Sequence, residues 1–161
     1  MRRPLGLVAI GLGTQARSAA PPSLSGLQTL TVVTKTREAM IVDLGPPGPS
    51  QGDLRVVNAP LYDRTGTNAI GRLDLFYVVT DPADKPGETT HLLICSGTYT
   101  LPKGTLTTHG LTPFSALPET PLETVWAITG GTGAYVGARG EQQLTRRSAT
   151  EIVDTFSYTT C

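Results

Sequence analysis

The sequence predicts an all-β domain made of about eight short strands. Segments rich in Val, Ile and Thr recur at short spacing, and clusters of Gly, Pro and Asp separate nearly all of them. Gly and Pro account for 18 and 13 of the 161 residues, which favours strands and turns over helices. No segment shows a convincing 3.6-residue apolar period, the pattern that an amphipathic helix requires.

Eight segments are predicted as strands, and Pro60 is expected to break the second of them. In chain order they are residues 27–36, 53–62, 71–79, 89–99, 105–111, 122–129, the glycine-rich stretch within 127–144, and 151–158. A sheet of this length must close on itself or fold over to hide its edges. The pattern alone leaves a closed barrel and a sandwich open.

The glycine-rich stretch is the most distinctive part of the chain. Its five glycines are Gly130, Gly131, Gly133, Gly137 and Gly140, and apolar or aromatic residues separate them. We interpret the stretch as a tight turn that leads into a strand, with bulges or close backbone contacts at Gly137 and Gly140. The Lys-Ser/Thr pair of a phosphate loop does not follow, and Gly137 comes one residue too late for a dinucleotide fingerprint.

Composition argues against several classes of function. Thirteen basic residues balance thirteen acidic ones without a basic stripe, so no nucleic-acid partner is expected. Charged residues make up only 16%, which suits a chain that hides surface in an oligomer or lines an apolar cavity. His91 and His109 lack metal-ligand spacing. Cys95 is expected to be a small buried hydrophobe, although a disulfide with the last residue, Cys161, remains open.

Residues 1–25 stand apart from the domain predicted over 26–161. A basic start, a short apolar core and small residues follow one another in the order of a secretory signal. Glycines interrupt the apolar core, so we favour an N-terminal tail, and a cytoplasmic protein slightly over a secreted one. No other apolar run approaches the length that spans a membrane.

Residues 128–140 resemble the glycine signature of plant allene oxide cyclases, dirigent proteins and bacterial barrels that include spirotetronate cyclases. Upstream, Gly52-Asp53-Leu54, Leu61-Tyr62 and Ile70-Gly71 resemble further landmarks of allene oxide cyclase. The resemblance covers roughly residues 27–158. It implies an eight-stranded antiparallel closed barrel with an apolar cavity and no metal or organic cofactor. It also implies ring-closing chemistry, which in the bacterial cyclases is of Diels–Alder type on polyketides.

The same resemblance places family site residues on this chain one at a time. The catalytic glutamate of allene oxide cyclase falls at Thr34 and its paired asparagine at Thr36. A second-strand asparagine falls at Ala59, where a bulge could bring in Asn58. The position that restricts the cavity falls at Tyr77. Because a hydroxyl cannot supply a delocalising carboxylate, allene oxide cyclisation itself is not expected.

Matching to the family predicts which side chains line the barrel. They are Thr34, Thr36, Leu75, Tyr77, Ile94, Ser96 and Thr98, and Trp126 is a further substrate-binding candidate that could instead lie in a subunit interface. Tyr77 is the catalytic candidate, because its hydroxyl could polarise a substrate carbonyl; the alternative is an aromatic that merely fills the barrel. Arg139 is expected to have a structural role near the glycine turn, bound to an acid or to backbone carbonyls.

These observations favour a cofactor-independent cyclase that folds a flexible apolar, polyketide-type intermediate for ring closure, with a Diels–Alder-type cycloaddition as one form. An interior without an acid–base pair suits catalysis by positioning, which contributes up to roughly 7–11 kcal/mol. One alternative is a secreted dirigent-like or lipid-binding barrel without catalytic activity. Another is a filled barrel, which a cavity too small for a ligand would support. A homodimer or homotrimer is expected.

Overall fold

A computed structural model describes residues 26–35, 38–83, 87–115, 122–148 and 150–160. The strands are β1 (Gln28–Thr34), β2 (Glu38–Val42), β3 (Leu54–Tyr62), β4 (Ala69–Asp81), β5 (Thr90–Leu101), β6 (Gly104–Ser115), β7 (Glu123–Gly131), β8 (Arg139–Arg146) and β9 (Ile152–Thr159). A single 3₁₀ turn, Gly133–Tyr135, separates β7 from β8. Eight of these strands form a closed antiparallel barrel, and β2 is an additional strand.

The barrel closes between its first and last strands. From β3 to β9 each strand pairs with the next along the chain. β9 pairs with β1 along its length, from Gln28 opposite Tyr158 to Thr34 opposite Ile152. The end of β1 then pairs with β3, where Thr34 lies opposite Leu61. This closure confirms the predicted barrel and excludes the sandwich.

The extra strand β2 was not predicted. It continues the path of β1 along the same edge of β3, with Glu38 opposite Asn58. Among the described residues, the pairing along this edge of β3 stops at Leu61, opposite Thr34, and resumes at Asn58, opposite Glu38. Pro60 lies opposite this break. The expectation that Pro60 ends its strand is wrong, since an interrupted ladder tolerates a missing N–H.

Inward-facing side chains fill the barrel in two clusters. The first surrounds Tyr99 and Phe156, whose rings meet edge to face with centroids 4.8 Å apart. The second surrounds Trp126 and includes Cys95, which is buried as predicted. Burying one large apolar side chain contributes roughly 1.5–3 kcal/mol, so these clusters account for much of the stability of the fold. Burial also raises the pKa of the Cys95 thiol to about 11.

The glycine-rich stretch forms the crossing from β7 to β8. Gly140 has φ +150°, and a Cβ there would lie 2.1 Å from the carbonyl oxygen of Ser157, which confirms the predicted close backbone contact. Gly137 has φ +74° and belongs to the turn before β8, so its predicted place inside a strand is wrong.

Arg139 stabilises this crossing from the start of β8. Its Nη1 donates hydrogen bonds to the carbonyl oxygens of Thr129, at 3.0 Å, and Ala138, at 2.7 Å. The guanidinium group therefore satisfies backbone acceptors next to the glycine turn. This confirms the structural role predicted for Arg139.

Two predictions fall on parts of the chain that the structure does not describe. Residues 1–25, for which a tail or a signal segment was predicted, lie outside the described ranges, and so does Cys161. Within those ranges, no helix has the length and apolar character needed to cross a bilayer.

Candidate functional site

A small cavity lies inside the barrel. Its volume is about 50 Å³, and its lining consists of Thr34, Val57, Leu73, Leu75, Tyr77, Tyr99, Leu144, Ile152 and Asp154. A water molecule occupies roughly 10–15 Å³ by a comparable measure, and whole ligands need about 300–1,000 Å³. The cavity is therefore too small for a whole ligand, which favours the filled-barrel alternative, and it has the size of a head group of a few atoms.

Three predicted site residues line this cavity. Thr34, Leu75 and Tyr77 all face inward, as the resemblance implied. Thr34 is 1% exposed, and its hydroxyl has no hydrogen-bond partner among the described residues. The guanidinium of Arg55 lies 5.8 Å from the centre of the Tyr77 ring, at cation–π distance. The structure thus brings these three residues together, and their roles stay predictions.

The predicted orientation of three residues on β5 is wrong. These residues are Ile94, Ser96 and Thr98. The strand register pairs Tyr77 with Cys95 and Leu73 with Tyr99, and directly paired residues share one face of a sheet. Cys95 and Tyr99 therefore face inward, and the residues that alternate with them face outward.

Two further candidates lie away from the cavity or outside the described residues. Trp126 is buried, but it packs in the second cluster, and its indole N–H donates a hydrogen bond to Thr112 Oγ1 at 2.9 Å. Thr36 lies outside the described residues. Asn58 does not replace the family asparagine, because its side chain accepts a hydrogen bond from Arg72 at 2.9 Å and Ala59 fills the interior position.

The sequence analysis missed the most distinctive group in the cavity, the carboxylate of Asp154. Asp154 is 1% exposed and lies on β9. The Nε2 of Gln142 donates to Asp154 Oδ1 at 2.7 Å and to the Tyr99 hydroxyl at 2.6 Å. A buried carboxylate costs several kcal/mol unless hydrogen bonds compensate it, and Gln142 provides such a bond. The sequence analysis predicted an interior without an acid–base pair, and it did not include this single carboxyl group.

Burial sets the protonation of the neighbouring phenol. It raises the pKa of Tyr99 well above its usual range, and the nearby Asp154 carboxylate raises it further. Tyr99 therefore keeps its proton at neutral pH. The cluster of Asp154, Gln142 and Tyr99 thus holds one acidic group at a fixed position.

The position of Asp154 relative to Thr34 connects the site to the family pattern. β1 and β9 are paired, with Asp154 opposite Val32 and Thr34 opposite Ile152. Asp154 and Thr34 are therefore diagonal neighbours on the inner face. A buried carboxyl group therefore lies beside Thr34, on the adjacent strand. Alternation in β9 carries the signal that could have found it, since Asp154 shares its face with Ile152 and Phe156.

The described residues offer no comparable metal site, because no three His, Cys, Asp or Glu side chains among them cluster closely enough to hold an ion. A groove of about 470 Å³ lies at the break between β1 and β2, where Glu38, Asn58 and Arg72 line it. The Arg72 side chain there is already bonded to Asp74 and Asn58. The interior cavity remains the better candidate, because a buried charged group lies in it.

The closed antiparallel barrel with an internal cavity defines the class of protein. A family model described as the allene oxide cyclase barrel like domain matches residues 28–156. The chain therefore belongs to the family of allene oxide cyclase-like barrels. No curated protein sequence matches it.

Solved structures share this fold at low sequence identity. A pyocyanin demethylase is 24% identical with a TM-score of 0.67, over 82% of this chain and 100% of its own. The Diels–Alderase AbmU from Streptomyces koyangensis is 16% identical with a TM-score of 0.60, and the match covers 84% of this chain and 68% of AbmU. The pterocarpan synthase dirigent protein PsPTS1 is 17% identical with a TM-score of 0.61, and the match covers 85% of this chain and 97% of PsPTS1. These likenesses establish the fold alone.

Proposed function

We propose that the chain is a cofactor-independent cyclase that binds the polar head of an otherwise apolar substrate in the barrel. One observation carries the proposal: the buried carboxylate of Asp154 lines an internal cavity and is hydrogen-bonded by Gln142. A filled structural barrel gains nothing from this group, because an apolar residue of similar volume would be as stable or more so. Buried ionisable groups in cavities are typical of functional sites.

The cavity residues suggest how ring closure would proceed. The Tyr77 hydroxyl donates to a substrate carbonyl and polarises it. Asp154 accepts a proton from an acidic O–H or N–H of the substrate head as electron density moves into the reacting π system, and returns it once the ring has closed; Gln142 and Tyr99 fix the position of the carboxylate. Positioning contributes up to roughly 7–11 kcal/mol, and a placed acid or base typically contributes 10²–10⁴-fold in rate. The aliphatic walls exclude water.

The cavity volume limits what enters. At about 50 Å³ the cavity takes only a polar head of a few atoms, so the diene and dienophile would lie next to it, past Tyr77. The fold shared with a Diels–Alderase supports a flexible polyketide-type intermediate and a cycloaddition. A linear precursor with a diene, a dienophile and one polar head is the substrate that fits these features best.

Turnover by matched variants tests the proposal. Purified wild-type protein, Asp154→Asn and Asp74→Asn are incubated with linear diene–dienophile substrates, including acidic tetronates, and the rate and stereochemistry of ring closure are measured. Asp74 is the control because its carboxylate pairs with Arg72 on the outer surface. We expect acceleration by the wild type and Asp74→Asn, and a loss of about 10²–10⁴-fold in Asp154→Asn. No acceleration by any of the three would refute the cyclase, and equal acceleration by all three would refute the role of Asp154.

A dirigent-like barrel that binds a small molecule without catalysing its conversion is the second candidate. The small cavity and the fold shared with a dirigent protein favour it. In that case the wild type would bind a ligand and alter product stereochemistry when an external oxidant or catalyst drives the reaction. It would not accelerate the reaction by itself. The two candidates therefore differ in the rate without any added catalyst.

We also propose that the chain forms a homo-oligomer through an apolar outer face. Phe76, Ile94, Leu111 and Val125 on strands β4 to β7 are each more than a third exposed, and Ile94 pairs directly with Leu111. A contiguous exposed apolar patch of this kind marks an interaction surface. Light scattering measures the mass of the wild type and of Ile94→Glu. An oligomer that Ile94→Glu dissociates supports the proposal, and a wild-type monomer contradicts it.

A further inference from the structure

We propose that Arg55 is a specificity-determining residue that binds a carboxylate on the part of the ligand that lies outside the interior cavity. The inference rests on the proposed function only in taking this cavity as the ligand site. It adds a second recognition point, on β3, and the sign of the charge that the ligand carries there.

Arg55 lies on the inner face of the barrel, next to the cavity. It pairs directly with Tyr77, which lines the cavity, and directly paired residues share one face of a sheet. Its guanidinium lies 5.8 Å from the centre of the Tyr77 ring. A cation over an aromatic face is attracted to the ring. Tyr77 therefore holds the guanidinium beside the place where a ligand would leave the cavity.

The hydrogen-bond donors of Arg55 are available to a ligand. A guanidinium has five N–H donors and keeps its charge in proteins. Within the described part of the chain, that of Arg55 makes no hydrogen bond and no ion pair, whereas Arg72 on the outer surface donates to both Asp74 and Asn58. Because Arg55 is partly buried, an anion that replaces its remaining water gains more than it would at an exposed arginine.

The carboxylate of Asp53 does not neutralise Arg55 by direct contact. Asp53 immediately precedes β3, and its carboxylate accepts hydrogen bonds from the backbone N–H groups of Leu44, at 3.0 Å, and Ser50, at 2.7 Å. The Ser50 hydroxyl donates a third, at 2.9 Å. These bonds lower the pKa of Asp53 more than the charge of Arg55 does. Asp53 is therefore bound to its own loop, and the guanidinium stays open to a ligand.

A ligand would leave the cavity at the end of the barrel where β3 begins, because the cluster around Tyr99 and Phe156 fills the other end. Arg146, at the end of β8, also faces inward here, with its guanidinium 5.2 Å from the centre of the Phe114 ring. Arg146 has a further partner within the protein. The carboxylate is therefore assigned to Arg55 alone.

The neighbours of Arg55 favour a carboxylate attached to an apolar group. On the side away from Tyr77, Arg55 pairs with Ile41 of β2, which is 58% exposed. The guanidinium fork can donate two parallel hydrogen bonds to a carboxylate. Apolar carbons next to that carboxylate would cover Ile41 and remove its surface from water, which is favourable. A neutral amide of the same shape would form only weaker hydrogen bonds.

Sorbate and sorbamide test the inference without a known substrate. They share a conjugated diene chain and the same number of heavy atoms, and they differ in charge. Each is titrated at fixed ionic strength into the full-length wild type, Arg55→Gln, Arg55→Lys and Arg72→Gln, and chemical shifts of the β3 and β4 backbone amides report binding. We expect the wild type to bind sorbate at least about tenfold more tightly than sorbamide, since hydrogen bonds to charged groups are the stronger ones.

The variants separate the charge of Arg55 from its geometry. Arg55→Gln should bring the two affinities within about twofold of each other, because it removes the charge. Arg55→Lys is the second variant in case Arg55→Gln does not fold; it keeps the charge but loses the paired donors, so its preference for sorbate should be smaller than that of the wild type. Arg72→Gln is the control and should keep the full preference, because Arg72 pairs with Asp74 on the outer surface.

Three results would overturn the inference: equal affinities of the wild type for the two probes, a full preference retained by Arg55→Gln or Arg55→Lys, or a preference removed by Arg72→Gln. If ring closure depends on Asp154 but a carboxylate-bearing substrate has the same KM in Arg55→Gln as in the wild type, only the inference fails. If sorbate binds through Arg55 and no substrate is turned over, the proposed cyclase fails and the carboxylate site stands.

Discussion

Replacing Gln142 by leucine should destabilise the barrel far more than replacing Gln142 and Asp154 together. Gln142 is fully buried, and its amide donates to a buried carboxylate and to a buried phenol. Gln142→Leu leaves both acceptors without this donor. Removing the donor of a buried hydrogen bond costs about 1–3 kcal/mol, so we expect the loss of both bonds to cost about 2–4 kcal/mol.

The double variant Gln142→Leu/Asp154→Leu removes the charge as well as its donor. Replacing both partners by apolar groups of similar shape is often close to neutral. The adjacent cavity also leaves room for the larger side chain at position 154. We therefore expect the double variant to be more stable than Gln142→Leu alone, with a coupling of about 2 kcal/mol or more between the two positions.

Urea unfolding followed by tryptophan fluorescence measures both variants, because Trp126 is the single tryptophan of the chain and is buried inside the barrel. At about 2–4 °C per kcal/mol, thermal unfolding of Gln142→Leu should shift down by roughly 5–12 °C. Two results would contradict this reasoning: a free energy of unfolding of Gln142→Leu within about 0.5 kcal/mol of the wild type, or additive effects of the two substitutions. Either result would mean that the hydrogen bonds of Gln142 do not compensate the burial of the Asp154 carboxylate.

Three further predictions concern Gly140 in the turn, Asp63 in its loop and the proposed role of Tyr77. Gly140→Ala should lower the free energy of unfolding in urea by at least about 2 kcal/mol, because the added Cβ would meet the Ser157 carbonyl. The control is Gly48→Ala, which is also at positive φ but has open space around it and should cost about 1 kcal/mol. Equal losses in the two variants would contradict the close contact at Gly140. Two side-chain donors from its own loop lower the pKa of Asp63 in the folded protein. The ionised carboxylate therefore stabilises the fold at pH values above its unfolded pKa of about 4, and this stabilisation is lost as the pH falls through the folded-state pKa. The urea midpoint of Asp63→Asn should therefore lie below that of the wild type at pH 7 and approach it in acid, and a constant difference would be inconsistent with this linkage. Tyr77→Phe should slow ring closure by about 10–10²-fold with the fold intact by circular dichroism, and an unchanged rate would leave Tyr77 as a filling aromatic.

The all-β class was predictable because short strands and turn signals recur along most of the chain, whereas closure into a barrel was predicted from the family resemblance. β2 was missed for a physical reason: it is a five-residue strand whose side chains are largely exposed, so no alternation marks it. The inward face of β5 was assigned wrongly because its outer face is apolar as well, with Ile94 in an exposed apolar patch. Only the pairing of Tyr77 with Cys95, which is a matter of register, decides which face is inside.

The candidate site was predictable in part. Thr34, Leu75 and Tyr77 were found through the family resemblance, and all three line the cavity. Asp154 was missed although it alternates with apolar residues in β9. An acidic residue in a strand usually faces solvent. Asp154 lies beside the cavity residue Thr34 only because the barrel closes through the pairing of β1 with β9. Strand pairing far apart in the sequence therefore decides the chemistry of the site.

A structure determined with a turned-over substrate or its product bound tests the central claim most directly. The claim is that the polar head of the substrate lies in the cavity between Thr34, Tyr77 and Asp154. We predict electron density for the head within hydrogen-bonding distance of the Asp154 carboxylate, with the remainder of the ligand passing Tyr77. Density in the outer groove beside Asn58 and Arg72, with the interior side chains unchanged, would contradict it.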